Sequence, residues 1–121
     1  MRKRICILYL LLAASCATVI RPAASELVGK WQYADEMQTC RFIFRGNGTF
    51  GGNTTAGGVL LSQFRGRWTL QANNILYEYT NDAVGRIPTG TKDRDTLVAI
   101  TKDYFVIEAA DGSRRKYVRV G

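Results

Sequence analysis

Cys40, the pair Asp93 and Asp95, and the run Arg114-Arg115-Lys116 are the places in this 121-residue chain where residue type and spacing come nearest to chemistry. A cysteine nucleophile needs a base to raise its thiolate, and the chain contains no histidine. Cys40 therefore reads as a buried or half-buried structural thiol. Asp93 and Asp95 fall two apart, on one face of a strand, with Arg94 between them. A calcium ion at such a pair would want roughly six to eight oxygen ligands, so an ordinary solvated strand start is expected, with no metal. The other carboxylates are scattered, which leaves general acid–base catalysis without a constellation to carry it. No enzymatic activity and no cofactor are expected. The basic run reads as a solvated strand face or as attraction to a membrane surface. The glycines from Gly51 to Gly58 are not a phosphate cradle, because the segment after Gly58 is strand-like rather than the start of a helix. They read as a flexible rim loop or bulge.

Those residues must be positioned by a folded domain, and the composition supplies one. Hydrophobic residues make up 46% and charged residues 22%, far from the signature of disorder. Residues 1–20 open with Arg2-Lys3-Arg4 and continue in an apolar run from Ile5 to Ala14, the pattern of a secretory signal peptide too short for a stable membrane span. Leu12-Ala13-Ala14-Ser15-Cys16 resembles the bacterial lipobox, which implies lipidation at Cys16, although Ala13 stands where that motif most often has leucine. Ala17, not aspartate, comes after the cysteine, and in a Gram-negative host the resemblance implies outer-membrane sorting. Ordinary cleavage after Ala17 or Ala24, giving a periplasmic or secreted protein, is the alternative. Residues 21–25 read as a short linker, with Pro22 blocking helix continuation, and residues 26–121 as one domain.

Export changes the charge and cysteine counts that matter. From Arg21 onward there are 14 Lys or Arg against 10 Asp or Glu, a net +4, and the positives are dispersed. Nucleic acid is not an expected partner. With Cys6 in the apolar run and Cys16 at the lipobox, Cys40 is alone, so no disulfide framework stabilises the domain and the core must do so.

The domain reads as eight strands: 27–34, 41–45, 49–53, 60–71, 75–80, 93–102, 104–109 and 114–120. Phe42 and Phe44 alternate against Arg41 and Arg45, and Phe64, Trp68 and Leu70 against Arg65, Arg67 and Thr69. This period of two marks half-buried antiparallel strands. Asn47-Gly48, Asp111-Gly112 and Asn73-Asn74 read as hairpin turns of type I′. Successive hairpins give a meander, and eight strands suffice to close it into an up-and-down barrel. An open sandwich is the structural alternative.

Several of these elements carry a resemblance. Leu27-Val28-Gly29-Lys30-Trp31 resembles the Gly-x-Trp signature of lipocalins and of the shorter bacterial lipocalin-like domains. Phe44 to Phe50 looks like that family's second hairpin, Gly66-Arg67-Trp68 like its middle strand, and Tyr117-Val118-Arg119 like its end. The resemblance implies that a late arginine, Arg119 or else Lys116, packs over Trp31 and closes the barrel base. Unlike full-size lipocalins, the chain has no C-terminal helix and no disulfide.

A lipocalin-like barrel implies a cell-envelope protein that binds a small hydrophobic or amphipathic ligand, with Phe42, Phe44, Trp68, Tyr77, Tyr79 and Phe105 as the candidate ligand contacts. The same side chains could instead fill the interior. The alternative is then a structural or interaction protein of the envelope, an inhibitor or assembly factor, acting through its loops or an arginine-rich outer wall. Either form meets a membrane through the lipid anchor at Cys16 if that residue is lipidated, and neither reading specifies an oligomeric state.

Overall fold

The computed structural model describes residues 21–121; the export signal, Cys6 and the lipidation candidate Cys16 lie outside the described residues. One helical turn, α1 (Ala24–Leu27), precedes the strands β1 (Gly29–Ala34), β2 (Thr39–Phe44), β3 (Thr49–Ala56), β4 (Val59–Gln71), β5 (Asn74–Asp82), β6 (Lys92–Ile100), β7 (Tyr104–Ala109) and β8 (Arg114–Arg119). Each strand pairs antiparallel with the next, and β8 returns to β1 through Trp31↔Arg119 and Gln32↔Val118. The fold is an all-β, closed eight-stranded up-and-down barrel. Closure leaves no unpaired edge for another chain to extend.

Alternation along the strands builds the core. Cys40, Phe42 and Phe44 of β2 meet Thr54, Gly52 and Phe50 of β3 in register, and those in turn face Ser62, Phe64 and Gly66 of β4. Trp31, Phe44, Phe50 and Phe105 are almost wholly buried, and burial of each such side chain is worth about 1.5–3 kcal/mol. Their rings pack edge to face, as with Trp31 and Phe105 at 4.8 Å and Phe44 and Trp68 at 5.1 Å. Two inward positions carry no side chain because none fits: a Cβ on Gly52 would strike the Arg41 carbonyl and stand 2.9 Å from the Phe64 ring, and one on Gly66 would strike the Glu78 carbonyl and stand 2.9 Å from the Phe50 ring. The large rings of β3 and β4 occupy that space instead.

The turns depart from expectation. A type I′ turn needs positive φ at both central residues, but at Asn47-Gly48 and Asp111-Gly112 only the glycines have it, each at φ +87°. Asn47 and Asp111 instead use their side-chain oxygens to accept the backbone N–H of Thr49 and Ser113, at 3.1 and 3.0 Å. Both positive angles occur at Gly57-Gly58, φ +57° and +80°, between the paired residues Ala56 and Val59. The stretch from Gly51 to Gly58 is therefore not a flexible loop: β3 runs through it to a tight hairpin, and the expected bulge is present as a register shift between Thr54 and Thr55. The third turn is centred on Ala72-Asn73 rather than Asn73-Asn74, with Ala72 at φ +54°.

Candidate functional site

The two ends of the barrel are built differently. At the base, α1 and the turns 45–48, 72–73 and 101–103 converge beneath a plug of aromatic rings. Trp31 is fully buried, and its indole Nε1 donates to the Leu27 carbonyl at 2.8 Å. The Arg119 guanidinium lies 4.1 Å over the Trp31 ring. Its Nε donates to the Lys102 carbonyl at 2.6 Å, one terminal nitrogen to Val28 at 3.1 Å and the other to Glu26 at 3.3 Å. One side chain thus joins β8, the 101–103 turn and α1. Gly29, at φ +140°, leaves the space that this guanidinium enters. Lys116 lies elsewhere, its ammonium 4.4 Å from the Tyr104 ring.

A strand that begins Gly-x-Trp, an arginine from the last strand stacked on that tryptophan, and eight strands closed in sequence order together define the architecture. The barrel is lipocalin-like. Among solved structures, a lipocalin-like protein from Bacteroides uniformis matches it with a TM-score of 0.59, at 18% identity, over 78% of this chain and 99% of that one. At that identity the likeness is one of fold. No known family profile matches the chain, and no curated protein does.

The open end of this lipocalin-like barrel is a cup of about 250 Å³. Phe42 and Phe64 form its apolar floor, and Tyr33, Tyr79, Tyr117 and the rim residue Ile87 stand around it. Arg115, Asp93 and Asp95 face into it. Of the candidate ligand contacts, the cup brings together Phe42 and Tyr79. Phe44, Trp68, Tyr77 and Phe105 do not line it; they are packed beneath, filling the lower barrel.

Two expectations about charge do not hold. Asp95 is not at a solvated strand start: it points inward and is half-buried. Burial raises its carboxyl pKa, the Tyr77 hydroxyl pulls it partly back, nearby Asp93 adds to the rise, and the Arg115 guanidinium opposes it. Nor is the basic run uniformly solvated. Arg114 and Lys116 are exposed, whereas Arg115 between them turns inward beside Tyr117, with its guanidinium 5.7 Å from the Tyr33 ring. The signal is present in the alternation, since Arg115 shares the phase of Tyr117 and Arg119 on β8.

The wall of the cup is fixed by the loop between β5 and β6. Asp82 accepts from Ser62 Oγ at 2.7 Å, from the backbone N–H of Gln63 at 3.1 Å, of Val84 at 2.9 Å and of Ile87 at 3.0 Å. Desolvation acts to raise its carboxyl, but these bonds outweigh it and hold the group well below the carboxylate range. The loop is thereby folded back so that Ile87 meets the cup. Cys40 lies in the wall, and Thr54 Oγ1 donates to its sulfur at 3.6 Å. Burial raises its thiol pKa, which suits a structural thiol rather than a nucleophile.

A second hollow, about 420 Å³, lies on the outer wall above the backbone of Gly51 and Gly52, flanked by Arg45 and Arg65. Asn53 Oδ1 is buried beside it without a hydrogen-bond partner. Among the described residues, no group of three or more His, Cys, Asp or Glu is arranged to hold a metal ion, and no helix is long and apolar enough to cross a membrane.

Proposed function

We propose that this chain is an exported cell-envelope binding protein that takes a small amphipathic molecule into the mouth of its barrel. The observation that carries the reading is the cup itself, where an apolar aromatic floor meets a few convergent charged and hydroxyl groups, the mixture typical of small-molecule sites. Its volume of about 250 Å³ is below the roughly 300–1,000 Å³ of drug-sized pockets. The ligand is accordingly small, and the packed lower barrel leaves no depth for a long acyl chain. Residues 1–20 would export the protein, and lipidation at Cys16 would tether it to the outer membrane. The reading involves no catalysis.

Native mass spectrometry of the full chain, purified from its own host with lipid extraction alongside, tests the binding claim. A stoichiometric extra mass that is lost when the cup is altered by Arg115→Gln supports it, and consistently bare protein counts against it. The intact mass of the processed chain tests the anchor, since a diacylglycerol-modified N-terminus at Cys16 and a free N-terminus beyond it differ by hundreds of daltons on any acyl composition.

The outer-wall hollow favours a second reading, an interaction protein of the envelope. Arg45 and Arg65 flank strand backbone there, and two guanidinium groups beside one hollow would meet an acidic group on a partner. That reading expects bare protein in the same measurement and a bound chain that Arg65→Glu releases.

A further inference from the structure

The charges in the cup are of both signs, and Arg115 and Asp95 attract each other without forming a contact ion pair. Arg115 makes no ion pair among the described residues; the ion pairs there are Arg67 with Glu78 and Arg114 with Glu108, both on the outer wall. A guanidinium has five N–H donors in a planar fork suited to a carboxylate, and in the cup its close polar neighbour is the Tyr117 hydroxyl. Asp95 reaches the same space from β6, and β7 stands between it and Arg115 on β8, through Asp95↔Ala109 and Ile107↔Arg115. Asp93, two residues along the same face, adds a second carboxylate at the rim. The rings of Tyr33, Tyr79, Tyr117, Phe42 and Phe64 line the same space.

A ligand with one charge would satisfy one wall and leave the other unpaired. An anion at Arg115 would also face two carboxylates, and a cation at Asp95 would face the guanidinium. A molecule bearing both charges on a short apolar stem meets both walls at once. Resting on the binding reading above, we infer that the cup takes a small zwitterion of the free amino acid type, its carboxylate on Arg115, its ammonium on Asp95 and Asp93, and its side chain on the aromatic floor. Size points the same way, because the cup is smaller than a typical drug-sized pocket. The tyrosine rings contribute further, since their faces attract an ammonium group.

The test is isothermal titration calorimetry on the full chain with four probes: phenylalanine, phenethylamine, which lacks the carboxylate, 3-phenylpropionate, which lacks the ammonium, and the dipeptide glycyl-phenylalanine. Phenylalanine should bind more tightly than either singly charged relative by about tenfold or more, the value of a charge-assisted hydrogen bond in a partly buried site. Weaker binding of the dipeptide identifies a free amino acid, and equal or tighter binding overturns that identification in favour of a peptide end group. Arg115→Gln should erase the advantage over phenethylamine alone, and Asp95→Asn the advantage over 3-phenylpropionate alone. Asp95→Asn is isosteric and Arg115→Gln removes the charge while keeping a polar side chain, and circular dichroism of each variant shows whether the barrel is intact. If phenylalanine binds no better than either singly charged relative, the zwitterion assignment is wrong. A non-zwitterionic molecule found in host-purified protein overturns the assignment and leaves the binding reading standing. Bare protein combined with no binding of any probe removes both.

Discussion

β8 carries two inward arginines four residues apart, one at each end of the barrel, and they are used in opposite ways. Arg119 at the base donates to three backbone carbonyls and covers the Trp31 ring. Arg115 at the mouth lies in a cavity with no carboxylate bonded to it among the described residues. The first guanidinium is consumed in closing the barrel, where β8 and β1 share only two registered pairs. The second has donors to spare. Burying a charge without a partner is costly, so a fold that keeps Arg115 half-buried and Asp95 two strands away holds polar groups that contribute little to its own stability. The contrast separates scaffold from site on physical grounds, without reference to what any relative binds.

The sharpest way to break this contrast is at the base. Trp31→Ala removes a fully buried indole that packs on Phe105 and carries Arg119, and should cost about 3–5 kcal/mol. Urea unfolding monitored by far-UV circular dichroism measures it, and a loss below about 1 kcal/mol would mean that the base plug is not what holds the barrel. Arg119→Ala should come next with about 2–3 kcal/mol, from three bonds of a charged donor and the ring contact. Arg119→Lys should recover little of this, because one ammonium cannot reproduce a planar fork aimed at three separate carbonyls. Arg115→Ala should change stability by no more than about 0.5 kcal/mol. Equal losses at the two arginines would erase the distinction between the ends.

Legibility in the sequence divides along the same line. The strand count, the closed barrel and the inward phase of Phe42, Phe44, Phe64 and Trp68 come from alternation and turn spacing, which are local signals. The contact between Arg119 and Trp31 spans most of the chain, and only the resemblance to lipocalins points to it. The cup has no such signal. Asp93, Asp95 and Arg115 look like solvent-facing charges when polarity alone guides the choice of outward face, whereas on β8 the phase is set by Tyr117. Nor can composition separate the aromatic residues that line the cup from those that fill the barrel beneath. Which rings end up under others depends on the stagger between strands, and that is a property of the closed sheet. Gly51 to Gly58 mislead for a related reason: glycine marks loops by frequency, but here Gly52 clears space for the Phe64 ring and Gly57-Gly58 makes the hairpin.

Acidity probes the mouth in isolation. The folded-state pKa of Asp95 is raised above its unfolded value, so the native barrel binds this proton more tightly than the unfolded chain does. The group's contribution therefore becomes less favourable as pH rises through the window from the unfolded to the folded pKa, and the full penalty is present above it. Asp95→Asn removes the penalty. It should raise Tm by a few degrees at pH 7 and leave it unchanged well below the carboxylate range, as followed by thermal unfolding at the two pH values. A lower Tm at pH 7 would show that the carboxylate is satisfied within the cup and is not held there against the stability of the barrel.

A small gain in stability is expected at the base, and it asks whether that end is optimised throughout. Ala72 is the single non-glycine residue at positive φ among the described residues, at +54°. The turn is held there from outside: the backbone N–H of Leu97 donates to the Asn73 carbonyl at 2.7 Å, and Asn73 Nδ2 donates back to the Leu97 carbonyl at 3.4 Å. With Asn73 fixed against β6, the two-residue connection has to pass through the left-handed region at Ala72, where a Cβ crowds the backbone at a cost of roughly 1–2 kcal/mol. Ala72→Gly relieves that cost but adds freedom to the unfolded chain, leaving a net gain of about 0.5–1 kcal/mol. Chemical denaturation of the variant measures it. A gain would show that even the closed end retains strain where one hairpin is pinned to its neighbour, and a loss would show that the Ala72 methyl group contributes packing that outweighs its backbone strain.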